Sequence, residues 1–251
     1  PARTSEVPDR RKHRGPHPQD GQLFRPAAES LLRQATGELS WLLTRGYAVN
    51  SALKLVGDRY DLTARQRLAI SRSACGDPML ERRRNHRVGP HALARQELWI
   101  DGYNVITSIE AALAGGVILH ARDGCYRDMA SMHGNYRKVQ ETLPAIELVG
   151  EVMQRLDVKV CQWLFDQPVS NSGRLRMLIG DIAARRSWRW IVRLVPDPDP
   201  LLIRCDRIVA TADSQILDST ARWFNLARHV IDEQIPGARI VDLSAAPDPA
   251  K

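Results

Sequence analysis

What this sequence has least of is uninterrupted apolar chain. Across its 251 residues no apolar run approaches the roughly 20 residues that cross a bilayer. The N-terminal stretch PARTSEVPDRRKHRGPHPQD also lacks the apolar core of a secretory signal, so the cytoplasm is the expected compartment. Cysteine is sparse: Cys75, Cys125, Cys161 and Cys205 lie far apart, with neither a CxxC pair nor a Cys/His ligand spacing. That scatter predicts free thiols and no zinc. Internal repeats are missing, as are low-complexity tracts beyond the N-terminal arm. Acidic residues fall short of basic ones, 29 against 36, leaving a formal net charge of +7. A surface of that sign attracts polyanions by charge neutralisation and counterion release, so nucleic acid leads the expected partners. Hydrophobic residues still make up 43% of the chain, enough to bury a core in one or two domains.

Residues 1–25, rich in Pro, Arg and His and without periodicity, read as an extended basic arm. A helical domain is expected over 26–92. There Ala28, Leu31, Leu32, Ala35, Leu39, Leu42 and Leu43 recur at helical spacing until Gly46 ends the run. Ala48 to Val56 predicts a second helix, and Thr63 is placed to cap a third that carries ARQRLAISRSAC. Gly76, Asp77 and Pro78 are expected to close this unit, leaving ERRRNHRVGPHALARQ as a basic connecting segment.

Over 93–251 strand-like and helix-like segments alternate. Strands are expected at Leu98 to Asp101, Val117 to His120, Val158 to Phe165, Trp190 to Val195, Arg207 to Ala212 and Arg239 to Leu243. Helices are expected near Lys138 to Arg155, Gly173 to Arg186 and Ser214 to Gln234. This order predicts an α/β layer with a largely parallel sheet, interrupted by a local hairpin at Asp123-Gly124.

Three of the expected strands end on aspartate: Asp101 after Leu-Trp-Ile, Asp166 after Trp-Leu-Phe, and Asp213 after Ile-Val-Ala-Thr-Ala. Each also suits a turn or a helix cap. If the strands are parallel neighbours, the carboxylates meet at the carboxyl edge of the sheet, where open α/β folds place their sites. Like charges gathered there repel unless a cation sits among them, and an all-oxygen set favours Mg²⁺ or Mn²⁺.

WIDGYNVI, WLFDQ and IVATADSQIL together resemble the motifs of the PIN/NYN superfamily of metal-dependent ribonucleases, over roughly Leu98 to Leu243. The resemblance implies a PIN/NYN-like α/β domain in which Asp101, Asp166 and Asp213 hold Mg²⁺ or Mn²⁺, and Asn104 orients Asp101 or a phosphate. It further implies a fourth acid ahead of the Thr-x-Asp strand. Here the sequence departs from the pattern, offering Asp197, Asp199 and Asp206 without a clear helix, and Asp218 beyond it. The chain as a whole, through HRGPHPQD, RGY, LVGDRYDLTARQR, DGYNV and RDMASMHGNYR, is similar to proteins of domain of unknown function 434.

The expected activity is metal-assisted hydrolysis of RNA phosphodiesters, with no covalent enzyme intermediate. A non-catalytic RNA-binding protein and a small-phosphoester hydrolase remain open alternatives. Arg137 is the expected phosphate grip and Tyr136 a base-stacking ring, with His133 between them and the hairpin. Ser172 and Arg174 open a helix suited to phosphate. Arg84, in the run Arg82, Arg83, Arg84 and Arg87, is expected to line the entrance to the same crevice. No membrane partner is expected, and the oligomeric state is open.

Overall fold

The computed structural model describes residues 15–130 and 136–244. Its first part is helical: α1 (Asp20–Leu23), α2 (Pro26–Thr44), α3 (Val49–Arg59), α4 (Ala64–Ser73) and α5 (Asp77–His86). Pro26 starts α2 where a missing amide costs nothing, and Leu32, Ala35 and Leu39 bury its inward stripe. α4 opens on a full capping box: the Thr63 hydroxyl accepts the Gln66 amide at 3.3 Å, and the Gln66 side-chain oxygen accepts the Thr63 amide at 3.1 Å.

α5 departs from the expected chain course. Asp77 and Pro78 open a helix rather than close the unit, because Pro in the first turn lacks only a hydrogen-bond donor that would be orphaned anyway, and Asp there favours the dipole. The basic segment ERRR is therefore helical surface, with Arg83 turned inward and buried.

The second part contains β1 (Glu97–Asp101), α6 (Gly102–Leu113), β2 (Val117–His120), β3 (Tyr126–Asp128) and α7 (Thr142–Arg155). It continues with β4 (Val160–Asp166), α8 (Ser172–Arg185), β5 (Trp190–Val195), α9 (Asp199–Ile203) and β6 (Ile208–Ala210). α10 (Ser214–Leu217), β7 (Trp223–Phe224), α11 (Leu226–Gln234) and β8 (Arg239–Asp242) complete it. One sheet has the order β5-β4-β1-β6-β7, and every pairing in it is parallel. β1 is thus central, with its chain successors on both sides, which makes it the point where the strand order reverses. Helices cover its core of Leu98, Ile100, Trp163 and Phe165, all fully buried.

One further expectation needs revision. The helix expected over Ser214 to Gln234 breaks into α10, β7 and α11, because Trp223 and Phe224 pair with Val209 and Ala210 and extend the sheet. Asp101 does not begin a free turn: Gly102 starts α6 directly. A β-carbon on Gly102 would stand 2.3 Å from the Phe165 ring, so only glycine lets α6 pack this closely.

β2 forms a second sheet of order β3-β2-β8, antiparallel to β3 and parallel to β8. The hairpin expected at Asp123-Gly124 is present, with Gly124 at φ +82°. The helical part does not keep a core to itself. Leu32, Leu39, Ile70 and neighbours share one apolar cluster with Val117, Leu119 and Val241 of the second sheet and with Leu243 just after it. All four cysteines are free. Among the described residues no helix is long and apolar enough to cross a membrane.

Candidate active site at the carboxyl edge of the parallel sheet

Parallel pairing sets the strand ends side by side. Asp101 lies level with Leu164 of β4, two residues short of Asp166, and Asp166 lies level with Val195 of β5. On the other flank Ile100 pairs with Ala210, so the chain leaving β6 presents Thr211, Ala212 and Asp213 beside Asp101. Beyond β5, Asp197 accepts the Asp199 amide at 3.1 Å and Asp199 occupies the first turn of α9. The missing helix before the Thr-x-Asp strand is thus α9, too short at five residues for a periodic signal.

Thr211 is the pivot of this edge. Its hydroxyl donates to Asp101 Oδ2 at 2.8 Å while accepting the Asp213 amide at 3.0 Å. Asn104 closes the other side: its side-chain oxygen accepts the Ala212 amide at 2.7 Å. The Asp-Gly-Tyr-Asn and Thr-Ala-Asp segments are therefore stitched together by two side chains. Asp213 caps α10, accepting the amides of Gln215 and Ile216 through Oδ1 at 2.8 and 3.3 Å. One oxygen of this carboxylate holds the helix.

The electrostatics of the edge are those of crowded acids. Burial, with the negative charges of Asp213 and Asp199, pushes Asp101 up to about 7 against the opposing hydrogen bond from Thr211. Burial also raises Asp199, helped by Asp213, Asp197 and Asp166, and it raises Asp166, helped by Asp197. These mutual influences bring Asp101, Asp166, Asp199 and Asp213 into one field, with Asp197 at its rim. Among the described residues, however, no three acids, imidazoles or thiols stand close enough together to form a ready-made metal cage.

Tyr103 joins the edge from inside. Its ring packs on Phe165 at 4.9 Å and on Tyr136 at 5.3 Å, and its buried hydroxyl has no hydrogen-bond partner among the described residues. In the sequence it is only a spacer within Asp-Gly-Tyr-Asn, and no local signal marks it.

The remaining expected site residues divide. Arg137 and Arg174 are exposed and line one cavity of about 380 Å³ beside the start of α8, with Lys138, Asn171 and Asp181. Tyr136 has a different place from the one expected: its ring is buried against Tyr103 and its hydroxyl bonds Glu110 and Thr142, so it is unavailable to stack on a base. Ser172 is buried, its hydroxyl donating to the Gln167 carbonyl at 3.2 Å. Asp218 is drawn away from the acids, since its carboxylate pairs with Arg83 at 2.6 Å. Asp206 lies before β6, at the opposite end from Asp213, and faces Arg207 at 3.4 Å. Arg84 lines a separate cavity with Arg87 and Arg122 rather than the crevice mouth. His133 lies outside the described residues.

Behind the edge sits an ion cluster that sequence spacing did not reveal. Asp123, almost wholly buried, receives Arg83 and Arg127 at 2.6 Å each. Burial alone would raise its carboxyl, but the two guanidinium groups hold it well below the usual range. Arg127 also donates to the Ala212 carbonyl at 2.8 Å, fixing the backbone between Thr211 and Asp213. Asp123 therefore does far more than make a turn.

Comparison with known proteins divides the chain in two. The family model described as "Domain of unknown function (DUF5616)" matches residues 90–229, and that described as "Protein of unknown function (DUF434)" matches residues 31–86. The DUF434 similarity, expected for the whole chain, is thus confined to the helical part. No PIN/NYN family model matches. The uncharacterized protein MJ0935 of Methanocaldococcus jannaschii is 30% identical over 188 residues, which span 75% of this chain and 89% of that relative. No solved structure matches.

Proposed function

The chain belongs to the DUF5616 family, and we propose that it is a divalent-metal-dependent endoribonuclease whose site is the carboxyl edge around Asp101. The observation that carries this reading is the convergence of Asp101, Asp199 and Asp213 on one another at the strand-order reversal, their charges acting on each other rather than on a basic side chain. An all-parallel sheet with acids after β1, β4 and β6 also supports the PIN/NYN relationship that the motifs suggest. The donors are all oxygen, which suits Mg²⁺ or Mn²⁺. Mg²⁺ keeps much of its water and takes one or two carboxylates plus substrate phosphate, so a wide acid edge fits it better than a closed cage would.

Asp101 and Asp213 are the residues that would hold the ion, with Asp199 and Asp166 flanking. When bound, such an ion supplies water activation and neutralises charge developing on phosphate. Thr211 keeps Asp101 and the Asp213 backbone in fixed relation, and Asn104 holds the β6 exit against α6. Arg137 and Arg174 provide positive charge for the phosphates of a strand leaving the edge along α8. With Mn²⁺, a labelled RNA is expected to be cut internally, and EDTA or Asp101→Asn should abolish cutting. Salt-sensitive RNA binding without any cleavage would instead make this a binding protein. Turnover of small phosphoesters without affinity for RNA would make it a phosphoesterase.

A further inference from the structure

A second concentration of positive charge lies where the two family regions meet. The cavity, about 540 Å³, is lined by Arg84 and Arg87 from the end of α5, and by His120, Arg122 and Gly124 from the β2–β3 hairpin. Its walls are tied together across the boundary. Arg122 donates to the Cys75 carbonyl at 2.7 Å and to Asp77 at 2.6 Å, and its amide reaches the Ser73 carbonyl at 2.9 Å. Arg83 crosses the same boundary to Asp123.

The cations facing this cavity are not evenly matched by acids. Asp123 is consumed by Arg83 and Arg127, Asp77 by Arg122, and Asp232 by Arg228, while His120, kept towards its neutral form by burial and by the Arg228 charge, hydrogen-bonds Asp242 without cancelling its charge. Arg84 and Arg87 have no carboxylate partner among the described residues. The guanidinium groups of Arg87 and Arg228 nevertheless approach one point, lying 3.2 and 3.4 Å from where a β-carbon on Gly124 would stand. Arg228 is held there by the Gly124 carbonyl at 2.9 Å and by His120 at 3.0 Å. Like charges gathered in a concave space repel one another unless an anion joins them.

We infer that this cavity is a backbone-phosphate site for RNA, with Arg84 and Arg87 as its phosphate ligands. The helical part thereby supplies half of a polyanion site that neither region builds alone. The identity of the polyanion rests on the RNA reading above, whereas binding at this cavity does not depend on cleavage at the acid edge.

The test is fluorescence anisotropy of the full chain with a labelled single-stranded oligouridine, in EDTA, across a salt series. Arg84→Gln with Arg87→Gln should weaken binding about tenfold or more and lower the salt slope by about 0.7 for each phosphate no longer neutralised. A Lys pair at the same positions should retain most of the slope. Arg45→Gln with Arg59→Gln, which removes equal charge from the outer helical surface, should shift affinity by less than about twofold if local geometry rather than net charge governs binding. Thermal unfolding of each variant separates lost binding from lost fold. Unchanged RNA affinity in the Gln pair overturns the inference. So does equal weakening by both Gln pairs, or competition by inorganic phosphate that is lost in the variant while RNA binding persists. RNA binding through these arginines without any cleavage leaves the inference standing and removes the nuclease reading alone.

Discussion

Replacing Asp101 with Asn keeps the side chain's shape and its acceptor for Thr211 while removing a charge that the fold holds out of water. Raising this carboxyl from 3.8 to about 7 corresponds to at most about 4 kcal/mol favouring the protonated form. The sign follows from linkage: the folded state binds the proton more tightly than the unfolded state. Asp101 is therefore harmless below its unfolded value. Its cost grows as pH rises from there and is complete once pH passes about 7. The neutral Asn escapes this cost. In EDTA at about pH 8 the variant should be more stable by about 2–4 kcal/mol, and the advantage should shrink toward zero near pH 4. Urea denaturation of parent and variant at matched pH measures the difference directly, and titrations common to both chains cancel. Mn²⁺ should then narrow or cancel that advantage, because an ion bound to the native parent at 100 times its Kd adds about 2.7 kcal/mol that the Asp101→Asn variant cannot recruit. Unfolding midpoints that stay parallel across pH, with no response to Mn²⁺, would show that Asp101 is an ordinary solvated acid.

Three other substitutions probe separate parts of the account. Thr211→Val removes the hydroxyl that bonds both Asp101 and the Asp213 amide, so Mn²⁺ affinity measured calorimetrically should fall about 10- to 100-fold with the fold retained. Arg83→Ala strips one partner from buried Asp123, removes the guanidinium partner of the Asp218 carboxylate, and should cost about 3–5 kcal/mol in chemical denaturation. A cost below about 1 kcal/mol, that of an exposed pair, would contradict the burial described for this cluster. Gly102→Ala drives a methyl into the Phe165 ring and should cost about 1–3 kcal/mol or more, visible as a lower Tm; an unchanged Tm would mean that α6 is not clamped to β4.

Much of this architecture is legible in the residues themselves. Strands such as Val117–His120 and Trp190–Val195 stand where the apolar runs place them, since short apolar runs bounded by polar residues leave a clear pattern. The Thr63 capping box and the Asp123-Gly124 hairpin are similarly local, and local signals survive in one sequence. What stayed hidden depends on long-range pairing. Trp223 and Phe224 form a strand because β6 offers a free edge, and nothing near them in the chain announces that edge. Asp77-Pro78 serves equally as a stop or a start, and only the packing of α5 through Arg83 decides it. At the site, the three strand-end acids were visible as a pattern. Thr211 as their bridge, Asp199 on a five-residue helix and the diversion of Asp218 to Arg83 emerge only once residues distant in the chain are adjacent.

A crystal of the protein soaked with Mn²⁺, with anomalous differences collected above the manganese edge, addresses the central claim directly. The expected result is an anomalous peak bonded to carboxylate oxygens of Asp101 and Asp213, absent from the Asp101→Asn crystal. A carboxyl edge without such a peak, in a crystal where Mn²⁺ binds elsewhere or nowhere, would contradict it.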